Sequence, residues 1–255
     1  MMQASGHSAT PSAYPMVFPL LVLYGLLLLP AYAGGAEAPN DLFAQRRRAM
    51  VETDLKGRNI RDPRVLEAMA AVPRHLFIPE SYRSRAYADR PLPIGAGQTI
   101  SQPYIVALMT ELLELKGGEK VLEVGTGSGY QAAVLSLLAK EVYTIEIIPH
   151  LARQAAERLP RLGYKNVFVR TGDGFFGWPQ KAPFDAIVVT AAAPEVPEAL
   201  WHQLREGGRL VMPLGESPEA QKLVRLRKVH GRPQTETITD VLFVPMTGEA
   251  GAYPP

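Results

Sequence analysis

The stretch Val121-Leu-Glu-Val-Gly-Thr-Gly-Ser-Gly-Tyr130 sets a short apolar run directly before three glycines spaced two apart. Val121 to Val124 has the length and the β-branched content of a buried strand. Gly125, Gly127 and Gly129 allow a tight turn at that strand's carboxyl end and a close approach of backbone to ligand. Tyr130 to Ala139 then reads as a helix. The dinucleotide fingerprint GxGxxG would need its third glycine at position 130, where Tyr130 stands. No GxxxxGK[ST] occurs either, which excludes a P-loop.

Working outward, strand and helix alternate. Val142 to Ile147, Val167 to Val169, Ala186 to Val189 and Arg209 to Met212 read as further strands. Helical stretches at Pro149 to Leu162 and Pro197 to Leu204 separate them, which implies a parallel sheet covered on both faces. Lys222 to Val229 and Thr235 to Val244 alternate with period two around His230-Gly231-Arg232-Pro233, an antiparallel pair closing the sheet edge. The expected fold is therefore α/β: a doubly wound, mostly parallel, seven-stranded Rossmann-like sheet with an antiparallel edge pair. Upstream, Asn40 to Val72 repeats apolar residues at helical spacing, with Pro63 in the first turn of a second helix after Asp62. Val72 to Gln102, rich in proline and glycine, reads as loop or short irregular structure carrying substrate contacts. Ile105 to Leu115 reads as an amphipathic helix. Residues 40–115 thus form a helical and loop extension on the substrate side of a core at 116–255.

Three carboxylates stand at or near strand ends beside the glycine loop: Glu123, Glu146 and Asp173. Glu146 closes the second strand, where a carboxylate can accept both hydroxyls of a ribose. A ligand with a ribose and an amino-acid moiety but no pyrophosphate fits this set. The pattern resembles a class I S-adenosylmethionine-dependent methyltransferase, with Glu123, Gly125, Thr126, Gly127, Gly129, Glu146, Asp173, Gly174 and Thr190 as expected cofactor contacts.

A more specific resemblance lies outside that loop, in Leu92-Pro-Ile-Gly-Ala-Gly-Gln-Thr-Ile-Ser-Gln-Pro103. Val72-Pro-Arg-His-Leu-Phe77, Gly172-Asp-Gly174, Gly177-Trp-Pro179, Val189-Thr-Ala-Ala-Ala-Pro194 and Phe243-Val-Pro245 accompany it. From about Val65 to Met246 the chain resembles the protein-L-isoaspartate O-methyltransferases. The resemblance implies S-adenosyl-L-methionine as methyl donor and the α-carboxyl of isoaspartyl, and also D-aspartyl, residues in age-damaged proteins and peptides as acceptor. It implies Ser101 as the active-site residue, with Gln98, Thr99, Ile100 and Val244 holding the substrate. Two other readings are a small-molecule methyltransferase sharing only the cofactor half, and a binding module that recognises isoaspartyl residues without methylating them.

Composition narrows the field. The 255 residues carry 27 Lys+Arg, 25 Asp+Glu and no cysteine. A net charge of +2 argues against nucleic-acid binding, which draws on many phosphate contacts. Without cysteine there is no disulfide, thiolate metal site or thiol nucleophile. The five histidines form no HExxH and no helical i, i+4 pair, so no metal is expected. His75 reads as a packing residue, and Phe175, Phe176 and Trp178 as caps on the sheet. Tyr130 either shields the cofactor or simply starts its helix.

No charged side chain precedes Glu37, and Met16 to Leu29 is an apolar run broken only by Pro19 and Gly25. With Ala31-Tyr-Ala33 as a small-x-small site, residues 1–33 read as a signal peptide lacking a basic start. Export to the periplasm is the expectation from the leader, although the family it resembles is usually cytoplasmic. A catalytic domain over 34–255, with no stable membrane association after cleavage and monomeric, completes the expectations.

Overall fold

The computed structural model describes residues 1–3, 41–215, 217 and 220–249. The chain divides into two units, Met1–Tyr32 and Ala33–Pro255. Apart from its first three residues, the leader expected over 1–33 lies outside the described residues.

In the second unit, helix α1 (Leu42–Ala49) is capped by the Asp41 side chain, which accepts from the Phe43 amide. It runs on into wider turns over Met50–Leu55 that bury Met50, Val51 and Leu55. Asp62 caps α2 (Pro63–Ala71) in the same way, with Pro63 in the first turn as its fixed φ favours. Short 3-10 turns follow at Arg74–Phe77 and Glu80–Arg85. The proline-rich segment then forms an antiparallel hairpin, β1 (Leu92–Gly95) and β2 (Gln98–Ile100). This corrects the expectation of irregular structure there. The Gly95-Ala96-Gly97 tip reverses the chain with all three residues at positive φ, and the prolines stand outside β2. Helix α3 (Pro103–Leu112) leads to the main sheet.

That sheet contains β3 (Lys120–Val124), β4 (Glu141–Glu146), β5 (Val167–Thr171), β6 (Phe184–Val189), β7 (Leu204–Leu214), β8 (Gln221–Val229) and β9 (Arg232–Val241). Their order is β5-β4-β3-β6-β7-β8-β9. The first five of these strands pair in parallel, while β8 runs antiparallel to both of its neighbours. The seven-stranded sheet and its antiparallel edge pair agree with the expectation, and the order of the last two strands follows from chain economy. A short connection joins β7 to β8 and the His230-Gly231 turn joins β8 to β9, so each strand lies beside its predecessor. Helices α4 (Tyr130–Ser136), α5 (Pro149–Arg161) and α6 (Glu198–Gln203) cover the faces.

Burial follows period-two alternation. Val121 belongs to one apolar core, shared with α3, α4 and the N-terminal extension; Leu122 and Val124 belong to the other, shared with β6, β7 and α6. Strand β3 is buried on both faces, so it reads as a continuous apolar run apart from Glu123. On α5, Leu151, Ala152, Ala155 and Leu159 form the buried stripe. Edge strand β9 is mostly exposed and polar, which discourages pairing with another chain.

Two boundaries differ from expectation. Gly207-Gly208 lies inside β7, because the strand begins at Leu204 and the pairing with β6 jumps from Phe184↔Leu204 to Ala186↔Arg209. The last strand stops at Val241, so Leu242 to Val244 falls beyond it. There the Val244 carbonyl accepts from the Ala192 amide at 2.9 Å, which draws the chain across the sheet's carboxyl edge.

Candidate active site

The strand order reverses about β3, and in α/β sheets the crevice at the carboxyl ends of such strands is where ligands bind. A cleft open to solvent lies at these ends. The loops after β3, β4 and β6 supply its floor, and the hairpin and the segment after β9 supply further wall.

Gly125 is held by its surroundings as much as by its turn. It adopts φ +96°, and a Cβ there would stand 2.4 Å from Thr190 Oγ1. The Thr190 hydroxyl donates to the Gly125 carbonyl at 2.7 Å, which ties the glycine loop to the end of β6. On its other side the Gly125 amide donates to the Ile145 carbonyl of β4 at 2.9 Å.

Glu146 is 5% exposed and lies on the wall. Its Oε2 accepts from the Gly127 amide at 2.7 Å and its Oε1 from the Ile148 amide at 2.9 Å. Both bonds fix the carboxylate plane while leaving lone pairs for a pair of hydroxyls. Val124, Ile145, Ile147 and Ile148 add apolar surface nearby. A glycine turn with no room for a Cβ at Gly125, a fixed carboxylate and an apolar shelf together fit a nucleoside carrying an amino-acid arm.

Gln98, Thr99, Ile100 and Ser101 line the same cleft, as do Val244, Pro245, Met246 and Thr247. The hairpin lies directly over the glycine loop: Ile94 Cδ1 is 3.3 Å from where a Gly127 Cβ would be. Among the described wall residues Glu146 alone carries a charge. A carboxylate entering here would meet hydroxyl and amide groups rather than a cation.

Thr126, Gly127, Gly174 and Thr190 stand on the wall with these, whereas three expected cofactor residues do not. Gly129 precedes α4 and packs toward Leu159. Asp173 caps the turn Gly174–Phe176 through the Phe175 amide at 2.9 Å, and accepts from the Glu249 amide at 2.7 Å. Each of its oxygens thus accepts one backbone amide, and the residue stands off the cleft wall. Glu123 points into the core with the parity of Val121 and is 0% exposed. Thr144 Oγ1 lies 2.5 Å from its Oε2 and 2.6 Å from Thr126 Oγ1, which links Glu123 to the loop from behind. Burial, with Glu146 nearby, pushes the Glu123 carboxyl up to about 8 against the Thr144 bond.

Tyr130 starts α4, is 1% exposed and lines the cleft. Arg74, wholly buried, lies over its ring with Cζ 4.9 Å from the centroid. Loss of hydration lowers the Arg74 guanidinium to about 10, and burial raises the Tyr130 phenol. His75 packs as expected, stacked on Phe43 at 4.2 Å with Nδ1 2.8 Å from the Tyr87 hydroxyl. Trp178 meets Tyr143 edge-on at 5.4 Å in the second core, away from the cleft wall.

Sequence reasoning overlooked several wall residues. Gln131, held by Nε2 donating to Thr110 Oγ1 at 2.8 Å, follows Tyr130 on a helix whose every residue is buried. The pair Ile147-Ile148, next to Glu146, carried a signal in its apolar character at a strand's end. Met246 and Thr247 carried none, since only the turn of the chain past Ala192 brings them in.

The sequence model of the family described as protein-L-isoaspartate(D-aspartate) O-methyltransferase matches residues 45–251. The chain belongs to this family. Among protein-L-isoaspartate O-methyltransferases, form 2 of Shewanella sediminis is 54% identical over 234 residues, covering 91% of this chain and 96% of that one. Form 1 of Cupriavidus necator is 49% identical over 249 residues, covering 94% and 95%. A solved protein-L-isoaspartate O-methyltransferase superposes with a TM-score of 0.73 at 31% identity, over 80% of this chain and 67% of that one. The Plasmodium falciparum enzyme, solved in complex with S-adenosyl-L-homocysteine, gives 0.68 at 28% identity, over 79% and 98%. The protein-L-isoaspartate O-methyltransferase match spans both the glycine loop and the Gly97–Ser101 segment, the two sides of the cleft.

Proposed function

We propose that this chain transfers the methyl group of S-adenosyl-L-methionine to the α-carboxyl of L-isoaspartyl, and also D-aspartyl, residues in damaged proteins and peptides. The observation that carries this reading is one cleft shared by the glycine loop, the fixed Glu146 carboxylate and Gln98 to Ser101, in a chain of this family. Bound S-adenosylmethionine supplies a methyl group activated by a positively charged sulfur. Gly125, Thr126, Gly127 and Thr190 would cradle its amino-acid arm, Glu146 its ribose hydroxyls, and Ile147 and Ile148 its base.

An isoaspartyl α-carboxyl titrates near ~3.5, so at neutral pH it is already a nucleophile and no general base is required. The wall agrees: it offers Thr99, Ser101 and Gln98, and no histidine or aspartate among its described residues. Ser101 donates to the carboxylate oxygen that is not methylated and so turns the other toward the methyl carbon. A neutral hydroxyl suits this task, since a cation at the nucleophilic oxygen would bind it strongly and blunt it. Charge disappears as the new C–O bond forms, so a cleft poor in charged groups does not hold the carboxylate back. Alignment is then the main contribution, worth on the order of 7–11 kcal/mol when reacting atoms are held in line. The methyl ester formed is open to attack by the next peptide nitrogen, which releases methanol and gives a succinimide that reopens partly to aspartate.

Labelled S-adenosylmethionine with paired isoaspartyl and aspartyl peptides tests this. Base-labile label on the isoaspartyl peptide alone is the expected result, and no label on either peptide overturns the function. We further propose that residues 1–33 act as an export leader, on their composition. An intact mass from the native host that begins at Gly34 is expected, and one that retains the leader refutes it.

A further inference from the structure

Asp89 is not on the cleft wall, yet its carboxylate grips the chain on both sides of Pro103. Oδ2 accepts from Gln102 Nε2 at 2.7 Å, and Oδ1 accepts from the Tyr104 amide at 2.9 Å. Helix α3 starts at Pro103, and Gln102, the residue before it, makes no side-chain cap bond. The first amides of a helix have no partner within it, and a local Ser, Thr or Asp normally supplies one. Pro103 has no N–H, so the Tyr104 amide is the first donor of this helix. Asp89 supplies its acceptor from 15 residues upstream. The same carboxylate holds the Gln102 side chain, so the peptide units between Ser101 and Tyr104 have little freedom to rotate.

The grip is itself supported. Arg58 pairs with Asp89 Oδ2 at 2.7 Å and lays its guanidinium 3.6 Å from the centre of the Tyr104 ring. The backbone that carries Asp89 is anchored by the buried Arg74, whose Nε donates to the Ala86 carbonyl at 2.8 Å. A carboxylate fixed on one element thus holds Gln102, next to Ser101, and the first amide of α3.

We propose that Asp89 is a positioning residue for methyl transfer: as a remote cap of α3 and a clamp on Gln102, it sets the direction of the Ser101 hydroxyl. This rests on the isoaspartyl methyltransferase reading above. Asp89→Asn places an amide against two donors and weakens the grip without changing side-chain size. Gln102→Ala removes one of the two held groups. Arg58→Gln removes the supporting charge but leaves both contacts to the loop.

Steady-state kinetics of the full chain on an isoaspartyl peptide test the role. Asp89→Asn should lower kcat by roughly several-fold, and by no more than loss of the Ser101 hydroxyl itself, with the KM for S-adenosylmethionine near wild type. Gln102→Ala should lower kcat less, Arg58→Gln less again, and the Asp89→Asn/Gln102→Ala pair no more than Asp89→Asn alone. Independent, multiplying losses in the pair would overturn the clamp, as would a raised KM for S-adenosylmethionine with kcat unchanged. Should Asp89→Asn fail to fold, a wild-type kcat in Gln102→Ala overturns it by itself. A wild-type enzyme that does not turn over sinks the function, whereas wild-type turnover with unaltered variants sinks only the role of Asp89.

Discussion

Glu146 Oε2 accepts the Gly127 amide at 2.7 Å, so the last carboxylate of β4 and the glycine loop after β3 form one unit. Glu146→Gln sets an amide group against the Gly127 and Ile148 amides and removes the charge proposed to accept ribose hydroxyls. Loss of hydrogen bonds to a charged group costs about 1.5–3 kcal/mol, so S-adenosylmethionine affinity should fall about 10- to 100-fold. Calorimetric titration reads this directly, and unchanged affinity would contradict the assignment.

Gly125→Ala meets two obstacles, the positive φ and the Thr190 hydroxyl 2.4 Å away. Cofactor binding should be lost and the fold weakened by roughly 1–3 kcal/mol of backbone strain. Gly118→Ala is the control, since a Cβ there meets nothing within 4 Å. Equal denaturation midpoints for the two variants would show that the close approach at Gly125 is not needed.

Ser101→Ala deletes one neutral donor from the wall. Turnover of an isoaspartyl peptide should drop about 10- to 100-fold, in line with about 1.5–3 kcal/mol for a hydrogen bond to a charged group, while S-adenosylmethionine affinity stays near wild type. A variant that instead failed to bind S-adenosylmethionine would move Ser101 from the substrate side to the cofactor side.

The Glu123 carboxyl, pushed up to about 8 from an ordinary 4.5, holds its proton more tightly in the folded than in the unfolded chain. Its contribution to stability is full below pH 4.5 and is lost as pH rises toward 8. The slope is on the order of 1.4 kcal/mol per pH unit in that window. Glu123→Gln should remove this decline. Urea unfolding of wild type and variant, free of ligand, from pH 5 to 8 measures the difference, and parallel curves would show that Glu123 is not protonated in the fold.

The parallel sheet, the glycine loop and the strand-end position of Glu146 were all legible in the sequence. Each follows from local rules: apolar runs buried on two faces, glycines where the chain turns against a ligand, a carboxylate where a strand stops. Ser101 and its neighbours were legible only through resemblance, because no local rule singles out a serine in a proline-rich segment. Local reading also left the β1–β2 hairpin as loop, since its pairing depends on the backbone conformation of the Gly95-Ala96-Gly97 tip.

What the chain alone determined about this protein is the set of elements and the chemistry available at their ends. Only the tertiary structure decided which side chains reach the cleft. Asp173 and Glu123 carry the same group as Glu146, yet the first stands off the cleft wall, capping its own turn and accepting the Glu249 amide from the far end of the chain, and strand parity turns the second into the core. Asp89 and Arg74 sit in a segment without strong periodicity, and they acquire their roles only when α3, α4 and that segment pack together. A carboxylate's function depends on which donors surround it, and those donors come from residues far apart in sequence.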